Sequence, residues 1–202
     1  MRLGVLTGEQ PPPHATAADA ARSVDLVERY GLMAAGIGWT CGVLSQTGQL
    51  GILSELPAQL RLTAPDGTRV LGVHASPQAD SGPGISPDKP DDVLRPLFEG
   101  CGADVVLGGH THRATDREIN GIRALNPGSV GIPMLPGQAS WLVLEFADDP
   151  QDERGVRAEH RLVPFDVDAT VRDLRSRLHP NTEFLESVLT GRSPQRRESD
   201  PA

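Results

Sequence analysis

The sequence is poor in lysine, and its basic residues are outnumbered by its acidic ones. Lys89 is the only lysine among 19 basic residues, against 27 acidic residues. The formal net charge is -8 and the sequence pI is about 5.2, so the electrostatic footprint of a nucleic-acid-binding protein is missing. An acidic protein can still act on a phosphate-bearing substrate when metal ions supply the positive charge.

The sequence also lacks cysteine pairs and long apolar runs. Cys41 and Cys101 show no Cys-x-x-Cys spacing, which is typical of reduced, buried thiols in a cytoplasmic protein. Residues 1–6 are too short for the apolar region of a signal peptide, and no apolar run approaches the roughly 18 residues of a membrane span. We therefore expect a cytoplasmic protein. Arginine in place of lysine, with abundant Gly, Pro and Ala, indicates a GC-rich coding sequence and a bacterial source.

The residue pattern over positions 16–55 predicts two helices. Thr16 is suited to cap a helix that Gly31 would end. A second helix is predicted over residues 46–55, with Leu50 and Leu53 facing inward.

Two hairpins are predicted further along the chain. Residues 59–63 and 69–74 flank a Pro-Asp-Gly turn. Residues 114–118 and 122–125 flank Asn120-Gly121, the strongest two-residue turn signal.

The remaining pattern predicts a mixed fold. Strands combined with flanking helices indicate an α/β protein of mixed α+β layers. Residues 1–190 are expected to form one domain, and the polar residues 191–202 a disordered tail. The other predicted elements are helices over 92–99, 169–178 and 183–189, and strands over 103–107, 140–146 and 156–164.

Three histidines end predicted strands. His110 and His112 follow the apolar run 105–107 through two glycines, and His74 ends the run 69–73. Glycines leave the approach to such strand tips open, and imidazoles grouped there are suited to bind a metal ion. The other histidines are predicted to be structural or exposed: His14, His160 and His179.

Three motifs resemble those of the calcineurin-like metallophosphoesterases, in particular the small bacterial phosphodiesterase branch. They are Leu71-Gly72-Val73-His74-Ala75-Ser76-Pro77, Gly109-His110-Thr111-His112 and Leu125-Asn126-Pro127-Gly128-Ser129-Val130-Gly131. The resemblance covers roughly residues 35–165, with the motifs in the family's order. It implies part of the family's β-sandwich, flanked by helices.

The resemblance also implies an activity, namely metal-dependent hydrolysis of a small phosphodiester or phosphomonoester by metal-activated water. His74 and His110 would bind one ion and His112 the other. The ions would be Mn, Fe, Zn or Ni, and an intact family member holds two. The resemblance assigns no catalytic or substrate-binding residue to this chain.

Several family motifs are missing from this sequence. The family's N-terminal part supplies an Asp-x-His, a Gly-Asp and a Gly-Asn-His-Asp-like segment, none of which is found here. The chain is therefore expected to correspond to a family member that begins about one-third of the way in. A two-ion site would then lack its bridging carboxylate. Nothing in the spacing of Glu9, Asp80 or Asp88 recommends them as substitutes.

Two further features are open to more than one interpretation. The loop that starts at Asn126 is expected to serve backbone geometry, with substrate contact secondary. Arg113 is suited to bind a phosphate, and an ion pair with Asp116 or Glu118 fits the sequence equally well.

Two alternatives to the enzyme remain. One is a non-catalytic protein-binding module derived from the same fold. The other is a single structural metal held by the three histidines. The sequence leaves open whether the chain forms an oligomer.

Overall fold

The computed structural model describes residues 17–148 and 155–192. Glu9, His14, Thr16 and residues 193–202 of the predicted tail lie outside the described residues. The described helices are α1 (Ala17–Gln46), α2 (Gln49–Glu55), α3 (Asp91–Phe98), α4 (Val167–Ser176) and α5 (Thr182–Thr190). The described strands are β1 (Leu60–Thr63), β2 (Arg69–Val73), β3 (Val105–Gly108), β4 (Thr115–Ile119), β5 (Ile122–Asn126), β6 (Gln138–Glu145) and β7 (Arg157–Pro164).

Five of the strands form one mixed sheet in the order β1-β2-β3-β5-β4. Both predicted hairpins are confirmed, because β1 pairs antiparallel with β2 and β4 with β5. Asn120 and Gly121 turn the second hairpin with φ of 55° and 73°, the left-handed geometry that a two-residue hairpin turn requires. The central strands β2, β3 and β5 run parallel.

Each face of this sheet packs against a different layer. On one face, Leu71 and Val106 pack with Leu94 and Phe98 of α3, and all four are at most 1% exposed. On the other face, Leu125 and its neighbours pack against the two-stranded sheet of β6 and β7. Each fully buried side chain of this size contributes about 1.5–3 kcal/mol. The layers confirm the predicted α/β class.

The first helix is longer than predicted. It continues through Gly31 and ends only at Gln46, before Gly48 with φ of 72°. A glycine inside a helix costs about 1 kcal/mol relative to alanine, which a long helix tolerates. The predicted end at Gly31 was therefore wrong.

The second helix is shorter and more exposed than predicted. It begins at Gln49 rather than at residue 46. Leu50 and Leu53 are 41% and 47% exposed, so their predicted inward orientation was wrong. Neither α1 nor any other described helix combines the length and the apolar character that crossing a membrane would need.

Candidate metal centre

Three parallel strands end at the same edge of the five-stranded sheet, and each end leads into one of the sequence motifs. Val73 of β2 pairs with Gly108 of β3, so the chain following each strand leaves the sheet side by side. The backbone N–H of Gly109 donates to the carbonyl of His74 at 2.8 Å. This bond fixes the two histidine-bearing loops against each other.

The rings of His74 and His110 meet at this edge. His110 Nδ1 lies 3.2 Å from His74 Nε2, and the ring centroids are 5.1 Å apart at an interplanar angle of 75°. The other nitrogen of His110, Nε2, lies 3.1 Å from the carbonyl oxygen of Gly82. Because a carbonyl only accepts hydrogen bonds, Nε2 carries the proton. In the neutral ring Nδ1 then presents its lone pair towards His74.

The spacing of these two nitrogens fits joint coordination of one ion. Imidazole nitrogens bind zinc at about 2.0–2.1 Å, so two neighbouring ligands of one ion lie roughly 3.0–3.4 Å apart. The observed 3.2 Å between His110 Nδ1 and His74 Nε2 falls within that range. A hydrogen bond from the second ring nitrogen of a ligating histidine to a carbonyl is also the usual support for such a ligand. The donor set therefore fits part of a metal site.

His112 belongs to the same electrostatic neighbourhood. Burial lowers the pKa of His112, and the positive charges that His110 and His74 can carry lower it further. The neutral imidazole, which is the form that binds metal, is favoured by all three causes. Within residues 17–148 and 155–192, however, no three His, Cys, Asp or Glu side chains are grouped so that they could hold one ion. The described residues thus supply only part of a coordination sphere.

The loop that carries His110 and His112 has an uncommon backbone conformation. Both residues lie in the left-handed region, with φ of 50° and 60°. This conformation costs a residue with a side chain roughly 1–2 kcal/mol. Such residues persist where the surroundings hold them in place, and they cluster at functional sites.

Asn126 at the end of β5 holds this loop. Its side chain is fully buried, and Nδ2 donates to the carbonyl of Gly109 at 2.5 Å and to Thr111 Oγ1 at 2.9 Å. The same amide nitrogen reaches the carbonyl of Ile85 at 3.0 Å. Sequence reasoning assigned the loop after Asn126 to backbone geometry and missed these contacts, because the partners lie far away in the sequence.

Arg113 pairs with a carboxylate that the sequence did not suggest. Its Nη1 lies 2.7 Å from Asp88 Oδ2, whereas Asp116 pairs with Arg123 at 2.6 Å. The expected partnership of Arg113 with Asp116 or Glu118 was therefore wrong. The hydroxyl of Ser86 also bonds to Asp88; this hydrogen bond and the charge of Arg113 lower the pKa of the Asp88 carboxyl.

The remaining described histidines have structural partners. His160 Nε2 lies 2.8 Å from the carbonyl oxygen of Asn126 and donates to it. The backbone N–H of Asn181 donates to His179 Nδ1 at 3.1 Å, and the His179 ring packs edge-on against Trp39 with centroids 4.7 Å apart. Both histidines are thus structural, as predicted.

Three other residues singled out in the sequence are Asp80, Cys41 and Cys101. Asp80 lies exposed in the loop between β2 and α3. Both cysteines are free, and Cys101 is buried as expected. Cys41 is exposed, so its predicted burial was wrong.

A known family model matches the part of the chain that forms this site. The model of the calcineurin-like phosphoesterase superfamily domain matches residues 43–149, a range that includes His74, His110, His112 and Asn126. No curated protein is significantly similar to the chain.

The chain is similar to solved structures. A hypothetical protein from Pyrococcus horikoshii is 18% identical with a TM-score of 0.59, over 72% of this chain and 55% of that one. A metallophosphoesterase from Sphaerobacter thermophilus is 24% identical with a TM-score of 0.49, over 70% of this chain and 60% of that one. At such identities the first similarity shows the fold alone. The chain spans between about half and three-fifths of the length of these structures.

Proposed function

The chain belongs to the calcineurin-like phosphoesterase superfamily, and on that premise we propose that it is a metal-dependent phosphoesterase acting on a small phosphoester. The observation that carries the proposal is the 3.2 Å spacing of His110 Nδ1 and His74 Nε2. We propose that these two nitrogens bind one divalent ion. His112, the third imidazole at the same sheet edge, would bind a second ion.

The metal chemistry would be that of other metal-dependent hydrolases. Bound divalent ions neutralise the charge of the phosphoryl group and lower the pKa of a coordinated water. Imidazole ligands suit Mn, Fe, Zn or Ni. The chain has a formal net charge of -8, so bound ions would supply the positive charge that a phosphoester needs.

The residues of the chain contribute orientation. The Gly82 carbonyl holds the proton of His110 on Nε2, so Nδ1 is available as a ligand without a tautomer change. The bond from the Gly109 N–H to the His74 carbonyl keeps the two loops in register. Carboxylate ligands, which would complete the coordination and bridge two ions, have no candidate among Asp80 and Asp88.

A second candidate function is a non-catalytic protein-binding module, and one observation favours it. Residues 31–54 carry no charged side chain. Tyr30, Met33 and Ile37 share one side of α1 at helical spacing and are 66%, 58% and 62% exposed. Exposed apolar surface of this kind marks interaction sites in soluble proteins.

The two candidates differ in metal dependence. The purified chain would be freed of metal with a chelator, loaded with Mn²⁺ or Zn²⁺, and assayed for hydrolysis of bis(p-nitrophenyl) phosphate and p-nitrophenyl phosphate. The phosphoesterase proposal expects metal uptake and turnover that the chelator abolishes. A folded chain that takes up no metal and shows no turnover would refute it and favour the binding module.

A further inference from the structure

We propose that Asn126 is a positioning residue that sets the affinity of the metal centre by holding the loop of His110 and His112 in its left-handed conformation. This inference rests on the proposed function, because it assumes that His110 is a metal ligand. Asn126 itself would touch neither the metal nor the substrate.

The contacts of Asn126 bracket His110 on both sides. Its Nδ2 donates to the carbonyl of Gly109, the residue before His110, and to the hydroxyl of Thr111, the residue after it. Thr111 Oγ1 in turn donates to the carbonyl of Ile85 at 2.7 Å. The buried Asn126 amide therefore links the histidine loop to the end of β5 and to residues 84–85, whose backbone packs against His110 and Thr111.

The orientation of the Asn126 amide is fixed. Its Oδ1 accepts the backbone N–H of Gly128 at 2.9 Å, so the NH₂ group must face the histidine loop. The main-chain carbonyl of Asn126 is held separately by His160 of β7. The donor that reaches Gly109 and Thr111 is thus anchored from both sheets.

The chemistry of the side chain is specific to asparagine. Aspartate has the same shape, but its carboxylate donates no hydrogen bond and would face the carbonyl oxygens of Gly109 and Ile85 with like partial charge. Alanine would remove the donor altogether: the Ile85 carbonyl would keep only Thr111 Oγ1 and the Gly109 carbonyl only the Thr111 N–H, both from within the segment or loop itself, so the bond from β5 would be lost. Either change removes the hydrogen bonds from Asn126 Nδ2 that hold His110 and His112 at φ of 50° and 60°.

The backbone at Gly84 leaves the His110 ring little room to move. A Cβ on Gly84 would lie 2.9 Å from Thr111 Cγ2 and 3.1 Å from His110 Cδ2. The His110 ring is therefore packed directly under this backbone. A relaxed loop would move Nδ1 away from its 3.2 Å approach to His74.

The test uses Co²⁺ as a spectroscopic probe of the full chain. The dissociation constant and the visible absorption of bound Co²⁺ would be measured for wild type, Asn126→Asp and Thr111→Val, with circular dichroism and thermal unfolding of each. Val171→Ala is the matched control, because Val171 is a buried residue of α4 that takes no part in the loop. Truncating this buried side chain should lower the free energy of unfolding without changing any residue of the histidine loop.

We expect Asn126→Asp to weaken Co²⁺ binding at least ten-fold, the range seen when a residue supporting a metal ligand is lost. Its absorption bands should also shift at saturating Co²⁺. Thr111→Val should weaken binding in the same direction, and it provides the test should Asn126→Asp not fold. Val171→Ala should bind Co²⁺ within two-fold of wild type.

Three results would overturn the inference. Unchanged affinity and spectrum in both Asn126→Asp and Thr111→Val would refute the positioning role alone. Weakening by Val171→Ala as large as by Asn126→Asp would show that the effect follows stability. A wild-type chain that binds no Co²⁺ would refute the proposed function, and the inference with it.

Discussion

His110 Nδ1 lies 3.2 Å from His74 Nε2, although the two residues are 36 positions apart in the chain. The pairing of parallel strands brings them together, because Val73 and Gly108 are register partners at the ends of β2 and β3. Two imidazole nitrogens at this distance either share one proton or bind one ion. Metal titration of the purified chain distinguishes these two outcomes.

Removing either ring should abolish metal-dependent chemistry. We expect His74→Ala and His110→Ala to weaken Mn²⁺ or Zn²⁺ binding by at least roughly 100-fold, since each removes a direct ligand whose supporting contacts alone are worth 10–100-fold. Hydrolysis of bis(p-nitrophenyl) phosphate should fall to background. Calorimetric titration and the colorimetric assay would measure both effects.

The control for these variants is His179→Ala. This histidine lies next to Trp39 and Asn181 and away from the sheet edge, so its loss should leave metal affinity unchanged. Turnover that persists in His110→Ala would contradict the assigned role.

Asp88 should be dispensable for metal binding. Its carboxylate is engaged by Ser86 and Arg113, and the ion pair with Arg113 is open to solvent, where such pairs contribute little to stability. Asp88→Asn should therefore change the metal dissociation constant by less than two-fold. A loss of affinity comparable to that of His110→Ala would instead identify Asp88 as the substitute for a bridging carboxylate.

Gly84→Ala should disturb the site through the backbone. Gly84 has φ of 56° and faces the His110 ring and Thr111, so a methyl group there adds strain and a close contact. We expect a loss of roughly 1–2 kcal/mol in the free energy of unfolding, together with weaker metal binding.

Gly67→Ala is the matched control for Gly84→Ala. Gly67 has φ of 87° and open space at its Cβ position, so it should lose similar stability and keep its metal affinity. Equal metal affinity in both variants would show that the segment at Gly84 does not position His110.

The ion pair between Asp104 and Arg69 should make stability depend on pH in the acid range. Hydrogen bonds from the side chain and the backbone N–H of Arg69 lower the pKa of Asp104 from 3.8 to about 2. A lowered folded-state pKa stabilises the fold above the unfolded value, and that stability is lost as pH falls from about 4 towards 2.

The comparison with Asp104→Asn isolates this contribution. Both side chains are about half exposed, so we expect the variant to be less stable by at most about 1 kcal/mol at pH 7. Urea unfolding should show the difference shrinking below pH 4. A difference that grows on acidification would have the wrong sign and refute the assignment.

Local sequence signals predicted most of the strands. Asn120-Gly121 has a single favoured turn geometry, so its hairpin could be read from neighbouring residues. The apolar runs before His74 and His110 likewise predicted the strand ends. The family motifs then supplied what spacing alone did not, namely which histidines belong together.

Features that depend on distant residues could not be predicted. The partner of Arg113 is Asp88, in the loop between β2 and α3 and 25 positions away in the chain, whereas the sequence suggested only neighbouring carboxylates. The contact of Asn126 with Gly109 likewise joins two separate strand ends. The length of α1 was missed because Gly31 weakens a helix without ending it.

X-ray absorption spectroscopy of the zinc-loaded chain tests the central claim most directly. We predict imidazole nitrogens at about 2.0–2.1 Å from the zinc, with the multiple-scattering signature of at least two histidine rings. His74→Ala and His110→Ala should each remove one ring from that signal. A zinc ion surrounded by oxygen alone, or a histidine signal that both variants leave intact, would contradict the account.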